Sequence, residues 1–547
     1  QRVTAAAEAK GLYGTGGHEI SQLYGLKMRT RTAVVNASLI PKMMETANMT
    51  EQAVRDTHIQ SDLMIMRCDG GVMSIEEVRK RPILTMLSGL AAGVAGALMY
   101  EKVSDGIFFE AGGTSVDISV IKNGKVMIKY AQVGGHKTYL QSLDVRTLGV
   151  AGGSMIRVRD GKVVDVGPRS AHIANKEYEC FAPNGAISGG EVRLIRPRED
   201  DPCEYAILTA DGGKDYAYTL AGAANLLGYV PEGDYAYGIP ASNAAAWDAL
   251  GHYLGSSGKQ AAQQVVDLAM GKLSTVVDSL IAEYGLDRSF TTLVGGGGSG
   301  AVIVNALAEK MGVKCQMAKN APYISTIGVA LAMVREQMER TIANPTNEDI
   351  KRIRADIIEK IVRSGAKEET VDVAIEIDAQ KNILRAIATG ATELRQKNLG
   401  AADLNQNQLG EIAAEALGAD PRQIHYICST GRWNLFEGEL QKKLLGFIKV
   451  KNKAAAVLDR EGVVRLRKEK ASYVKFTKAQ GQVFHQFLDD HTTFSDANAT
   501  IPKVFLFYKE KMLDLTGMQT AEQLYSILDV ETEMLTPDEE IMAVAYK

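Results

Sequence analysis

The chain has 547 residues, 46% hydrophobic and 23% charged, with a formal net charge of −4. That length predicts two to four domains, and the charge balance points to neither nucleic acid nor an anionic membrane as partner. Five scattered cysteines (Cys68, Cys180, Cys203, Cys315, Cys428) without a CxxC pair predict a reduced, cytoplasmic protein with no disulfide or structural zinc. Glycine is abundant, at 53 residues, while aromatics make up 6%, which suits a backbone that approaches ligands closely in several loops.

The opening, 1–28, has Gly-rich turns and no clear period, and no signal peptide is read there. Residues 45–59 then read as an amphipathic helix, 62–67 as a short buried strand and 74–80 as a charged helical turn. The uncharged run 83–100 is just long enough to span a bilayer. About half of it is Gly, Ala, Ser and Thr, so a helix over 88–100 buried in protein is expected, with Gly89, Gly93 and Gly96 against other backbone. A strand–turn–strand unit follows: DGIFFE, AGGTS, VDISVI, then an Asn123-Gly124 turn into KVMIKYAQV. Residues 155–230 are β-rich, and helical patterns occupy 242–285. A strand, TTLV, runs into Gly295 to Gly298, followed by a helix through Met311 and another over 324–340. After Asn344-Pro345 the chain is more charged and lacks Gly-rich loops. Helices are expected at 346–363, 380–397, 406–417 and 478–489, with strands at 370–377, 423–428 and 455–467. The alternation places the whole chain in the α/β class.

Three loops could carry chemistry. In Glu110-Ala-Gly112-Gly113-Thr114-Ser115-Val-Asp117, two glycines let backbone amides fold around an anion. Hydroxyls follow, and a carboxylate closes each strand, a set suited to phosphate with Mg²⁺. Read alone, the same turn is equally a Gly-rich β-turn capped by Asp117. Gly295, Gly296, Gly297, Gly298 and Ser299 lie between strand and helix, where a ligand can approach unpaired amides; a structural tight turn is the plainer reading. Gly152, Gly153 and Ser154, preceded by Asp144 and Arg146, form either a third cradle with an anion-binding Arg or an ordinary loop.

The order of these features changes their weight. A phosphate hairpin, a Gly-rich adenosine loop and two small-residue helices (88–100 and 324–340) resemble the actin/hexokinase/heat-shock ATPase superfamily, in which two ribonuclease-H-like lobes close on ATP. A finer resemblance is to the A subunits of the hydantoinase/oxoprolinase family, including N-methylhydantoinase A and acetone carboxylase beta-like chains. It rests on TAVVNASLIP (32–41), MRCDGGVMS (66–74), RPILTMLSGLAAGVAGALM (81–99), EAGGTSVDISVI (110–121), LDVRTLGVAGGSMIRV (143–158), VGPRSA (166–171), LVGGGGSG (293–300) and APYISTIGVALAMVR (321–335). These agree in order and spacing over residues 30–340.

The resemblance implies an ATP-binding subunit that works with a B-type subunit on a small cyclic amide, activating its carbonyl by phosphorylation. It also implies ATP and Mg²⁺ as cofactors. Glu110 and Asp117 would hold the metal and act in catalysis with Arg146; Gly112 to Ser115 would hold phosphate and Gly295 to Ser299 adenosine. Asp144 and Gly152 to Ser154 would form a substrate loop. An ATP-dependent ketone carboxylase subunit and an ATP-driven reactivating protein are the alternative readings. Expected domains are 1–105, the remainder of a first lobe; 106–340, the ATPase lobe; and 341–547, a C-terminal α/β domain.

The sequence also departs from the family. Its usual first Asp-x-Gly-Gly-Thr loop has no counterpart here, so weak Mg-ATP binding by the chain alone is expected. Glu110 replaces an Asp and Arg146 a His. HIANKEYECF stands where DPGPACYG is usual, Ala-Gly-Ala-Ala-Asn225 where an acid is usual, and Ser299 where a Pro is usual.

Overall fold

The structure is a computed structural model. It describes residues 2–101, 105–122, 125–378, 380–392, 403–444, 448–494, 499–518, 520–533 and 535–546. Contacts divide the chain into two discontinuous units: 1–88 with 128–142 and 332–547, and 89–127 with 143–331.

The second unit carries the glycine loops. Its elements are labelled α1 (Ser88–Glu101), β1 (Gly106–Ala111), β2 (Val116–Lys122), β3 (Lys125–Val126), β4 (Val145–Leu148), α2 (Leu220–Leu226), β5 (Thr292–Gly296), α3 (Gly300–Met311), β6 (Lys314–Met317) and α4 (Ile324–Leu331). One sheet runs β6-β5-β1-β2-β3, with β4 also paired to β2. Strand β5 is parallel to β1 and β6, while β1, β2 and β4 are antiparallel neighbours. Alternation gives the sheet two different faces. Ile107, Phe109, Ala111, Val116, Ile118 and Val120 enter one large core with the long helix Gly258–Tyr284 and α3. The intervening residues, Phe108 and Glu110 among them, face α1 and α4. A second sheet, built from strands between Ser154 and Ala217, shares the same core.

Helices α1 and α4 pack as only small residues permit. A Cβ on Gly96 would lie 2.2 Å from the Ile324 carbonyl oxygen, and one on Gly328 would lie 1.9 Å from that of Ala92. Gly93 makes room for a side chain instead, the Glu110 carboxylate, and Gly89 meets nothing within 4 Å. The expected backbone contact therefore holds for Gly96 alone of the three. No helix among the described residues is long and apolar enough to cross a membrane.

The first unit contains a five-stranded sheet: Met64–Met66, Val72–Ser74, Val334–Thr341, Ile383–Gly390 and Asp372–Asp378. The Asn347–Arg363 helix buries Ile350, Ile353, Ile357 and Ile361, spaced three or four apart on one face. Within this unit the MRCDGG stretch builds a buried ion network. Glu336 receives Arg67 at 2.8 Å, Arg81 at 2.7 Å and Lys360 at 3.2 Å, while Asp69 receives Arg67 and Arg335. Two further four-stranded antiparallel sheets lie between Ile424 and Tyr546.

Several sequence expectations are corrected here. The helix expected over 324–340 ends at Leu331, and Val334–Thr341 is a strand. Residues 383–390, expected within a helix over 380–397, are its antiparallel partner through eight consecutive pairs. The helix formers Leu, Arg and Ala in ILRAIATG suggest a helix, but its alternating burial fits a pleated ladder, which tertiary packing selects. Residues 393–397 of that expectation lie outside the described residues. The strand expected at 455–467 is two strands, Ile448–Asp459 and Val464–Glu469, separated by a turn at Gly462 with φ +84°. The helix expected over 45–59 begins at Leu26, and short helices occupy part of the opening. The Asn123-Gly124 turn lies outside the described residues, although Ile121 pairs with Val126 across it.

Candidate functional site

The three glycine loops meet at the end of β1. Ser299 N–H donates to the Ala111 carbonyl at 2.9 Å, and Gly297, at φ +77°, leaves no room there for a side chain. From the other direction, the Gly152 and Gly153 amides donate to the carbonyls of Gly112 and Gly113 at 3.2 and 2.9 Å. A Cβ on Gly152 would lie 2.2 Å from Ser299 Oγ, so the second and third loops also touch. The hairpin tip is thus held by its carbonyl oxygens. Its amides are left over: those of Gly113, Thr114 and Ser115 donate to no group among the described residues. Consecutive free amides form an anion-binding concavity. Thr114 Oγ1 lies 3.1 Å from Ser170 Oγ, which adds hydroxyls at its edge.

Beside this tip stand two carboxylates. Glu110 and Asp117 are directly opposed in the β1–β2 ladder, on the face towards α1 and α4. Ser325 of α4 donates to Glu110 Oε1, whereas Oε2 is buried with no hydrogen-bond partner. Asp117 Oδ1 accepts from Thr147 Oγ1 at 2.5 Å. Burial raises both carboxyls above their ordinary range, and in Glu110 the neighbouring Asp117 adds to the effect. A cation would relieve both pressures, because it favours the charged form of each group. Among the described residues no three His, Cys, Asp or Glu converge as a metal site.

Asp144 and Arg146 do not join this group. Arg146 opposes Ile118 in the β4–β2 ladder, so it belongs to the face opposite Asp117 and Thr147. Its guanidinium is paired with Asp144 and Glu283, and Tyr284 donates to Asp144. Gly152, Gly153 and Ser154 are buried props under the hairpin tip, with the Ser154 hydroxyl accepting from Ala151 N–H at 2.8 Å.

Sequence reading missed several residues at the site. Tyr178 OH lies 1.9 Å from where a Gly153 Cβ would stand and 2.8 Å from that of Gly113, and it has no hydrogen-bond partner among the described residues. Burial pushes this phenol up to about 12, so it remains a proton donor. Its neighbour Glu179 is fully buried, accepting from Thr219 N–H (3.1 Å), Thr219 Oγ1 (3.0 Å) and Trp247 Nε1 (3.1 Å). Thr219 caps α2, whose Ala221 amide donates to the Gly152 carbonyl at 2.8 Å. Glu179 therefore supports the site at one remove. Ser170 and Ser325 lie within the VGPRSA and APYISTIGV stretches, a signal that could have found them. Nothing in HIANKEYECF marks Tyr178.

The α/β fold is shared with a solved structure. The crystal structure of ATP-dependent caprolactamase from Pseudomonas jessenii superposes with TM-score 0.55 at 19% identity, covering 84% of this chain and 74% of that one. The shared fold is mixed α/β, built on several sheets. In sequence, the hydantoinase/oxoprolinase family matches residues 29–338, more than half of the chain, and the chain belongs to that family. The caprolactamase subunit alpha of Pseudomonas jessenii is 27% identical over 337 residues, 60% of this chain and 44% of that protein. A 5-oxoprolinase 1 of Arabidopsis thaliana is 28% identical over 197 residues, 32% of this chain and 15% of that protein. The chain thus spans under half the length of either relative.

Proposed function

We propose that the unit formed by residues 89–127 and 143–331 binds Mg-ATP, and that the chain is the ATP-binding part of an ATP-dependent amidohydrolase of the hydantoinase/oxoprolinase type. Two relatives are named for cyclic amides, and one of them is an alpha subunit, which supports a B-type partner subunit. The observation that carries the reading is the row of free amides at Gly113, Thr114 and Ser115 beside the orphaned Glu110 Oε2. Bound Mg-ATP would supply the phosphoryl group that activates an amide carbonyl.

The chain's own residues position and neutralise. Glu110 and Asp117 hold the hydrated magnesium, the first fixed by Ser325 and the second by Thr147. The tip amides and the Thr114 and Ser170 hydroxyls donate to phosphate oxygens. Gly297 to Ser299 would admit the nucleoside against the start of α3, whereas Gly295 and Gly296 are buried ladder residues of β5, packed on Met317 and Phe108. Tyr178 donates from above the two glycine loops. Arg146 and Asp144 brace the sheet edge, outside the reacting centre. The scattered free cysteines fit a reduced, cytoplasmic setting.

Calorimetry with Mg-ATP tests this. Binding should require magnesium, and Asp117→Asn should weaken it at least about tenfold, because a neutral amide leaves the cation half-compensated. Equal affinity in the folded Asp117→Asn chain would sink the assignment.

A further inference from the structure

One aromatic ring beside the 297–299 loop stands out. A Cβ on Gly298 would meet only Tyr235, at 3.1 Å from both Cδ1 and Cε1, so the ring rests against this glycine. Tyr235 as a residue is 71% exposed. Its loop is tightly held. Asp234 N–H donates to the Pro231 carbonyl at 3.1 Å, and Asp234 Oδ1 accepts from Ala236 N–H at 2.9 Å. Asn225, at the end of α2, donates to the carbonyls of Ala221 and Ala236 and accepts from Gly238 N–H at 2.8 Å. Ala236 is buried, and α2 is tied in turn to Gly152 of the 152–154 loop. The projection of Tyr235 is therefore fixed by the same framework that holds the phosphate-side loops.

A rigidly held, largely bare aromatic ring is costly in water and well suited to cover a flat partner. The Gly298 amide donates to no group among the described residues, so the polar edge of such a partner would find a donor beside the ring. We propose that Tyr235 is the stacking platform for the purine base of the nucleotide, and so the residue that sets base preference. This rests on the nucleotide reading above and adds which side chain recognises the base. The base, not the phosphates, is what Tyr235 meets.

Calorimetry on the 547-residue chain, with magnesium and either ATP, CTP or pyrophosphate, tests it. Wild type should bind ATP more tightly than CTP. Tyr235→Ala should weaken ATP by about tenfold to a hundredfold, in the range of a lost base–aromatic stack, and leave pyrophosphate unchanged. Tyr235→Phe, which keeps the ring, should restore ATP binding. Tyr235 is a surface residue, so each variant's melting temperature should match wild type. ATP affinity unchanged by Tyr235→Ala overturns the inference while leaving the nucleotide site standing. Equal losses for ATP and pyrophosphate also overturn it, since the residue would then act on the phosphate loops. A wild-type chain that binds pyrophosphate but shows no gain for ATP removes the base platform, and one that binds neither removes the nucleotide reading itself.

Discussion

Glu179→Gln should flatten the pH dependence of stability in the unit that carries the glycine loops. Burial raises the Glu179 carboxyl from 4.5 to about 7, against the lowering effect of its bonds from Thr219 and Trp247. Folded, the group keeps its proton up to about pH 7; unfolded, it releases it near 4.5. Between those values the native state binds the extra proton, so stability falls as pH rises through the window and is constant on either side. At 1.36 kcal/mol per pH unit, the loss from pH 4.5 to above 7 is about 3 kcal/mol. Glutamine keeps the shape and an acceptor for the Thr219 and Trp247 donors, but it does not titrate. Urea unfolding followed by Trp247 fluorescence in a Trp433→Phe background reads this directly, because the sequence has two tryptophans and Trp247 touches Glu179. At pH 5 the variant should match its parent. At pH 8 it should be more stable, by up to about 3 kcal/mol, less the charge-assisted part of three hydrogen bonds. The same slope in both proteins, or an equal destabilisation at both pH values, would refute the reasoning.

Two further predictions concern packing and charge. Gly328→Ala should lower the melting temperature: its Cβ, 1.9 Å from the Ala92 carbonyl oxygen, forces α1 and α4 apart at a cost of about 1–3 kcal/mol. Gly89→Ala, which meets open space in the same pair of helices, should not lower it, and equal behaviour of the two variants would contradict the close-packing account. Glu336→Gln should cost about 3–5 kcal/mol, because Arg67, Arg81 and Lys360 lose their shared counter-ion. Burial works against ionisation of Glu336, yet Arg67, Lys360 and Arg81 hold its carboxyl well below the ordinary range. Its stabilisation is therefore present above the unfolded carboxyl value and lost as pH falls, and a denaturant series read at Trp433 should show a smaller acid effect in the variant.

Much of the site was legible because it is made of backbone. A glycine pair between two strands, or a glycine run between strand and helix, announces amides that a ligand can reach, whatever surrounds them. The small-residue spacing in 88–100 likewise announced a close helix contact, which Gly96 and Gly328 make. Side-chain roles were harder to read. Arg146 looked like an anion ligand near Gly152, but its side of the sheet is fixed by the pairing of Ile118 with Arg146, and one residue of register reverses every face. Residues 334–341 and 383–390 carried helix formers, and each became a strand because the other supplies its hydrogen bonds. Tyr178 and Tyr235 have no signature at all. Their importance comes from lying against Gly153 and Gly298, which are distant in sequence, and only the folded chain brings a ring to a glycine that has no side chain to keep it away.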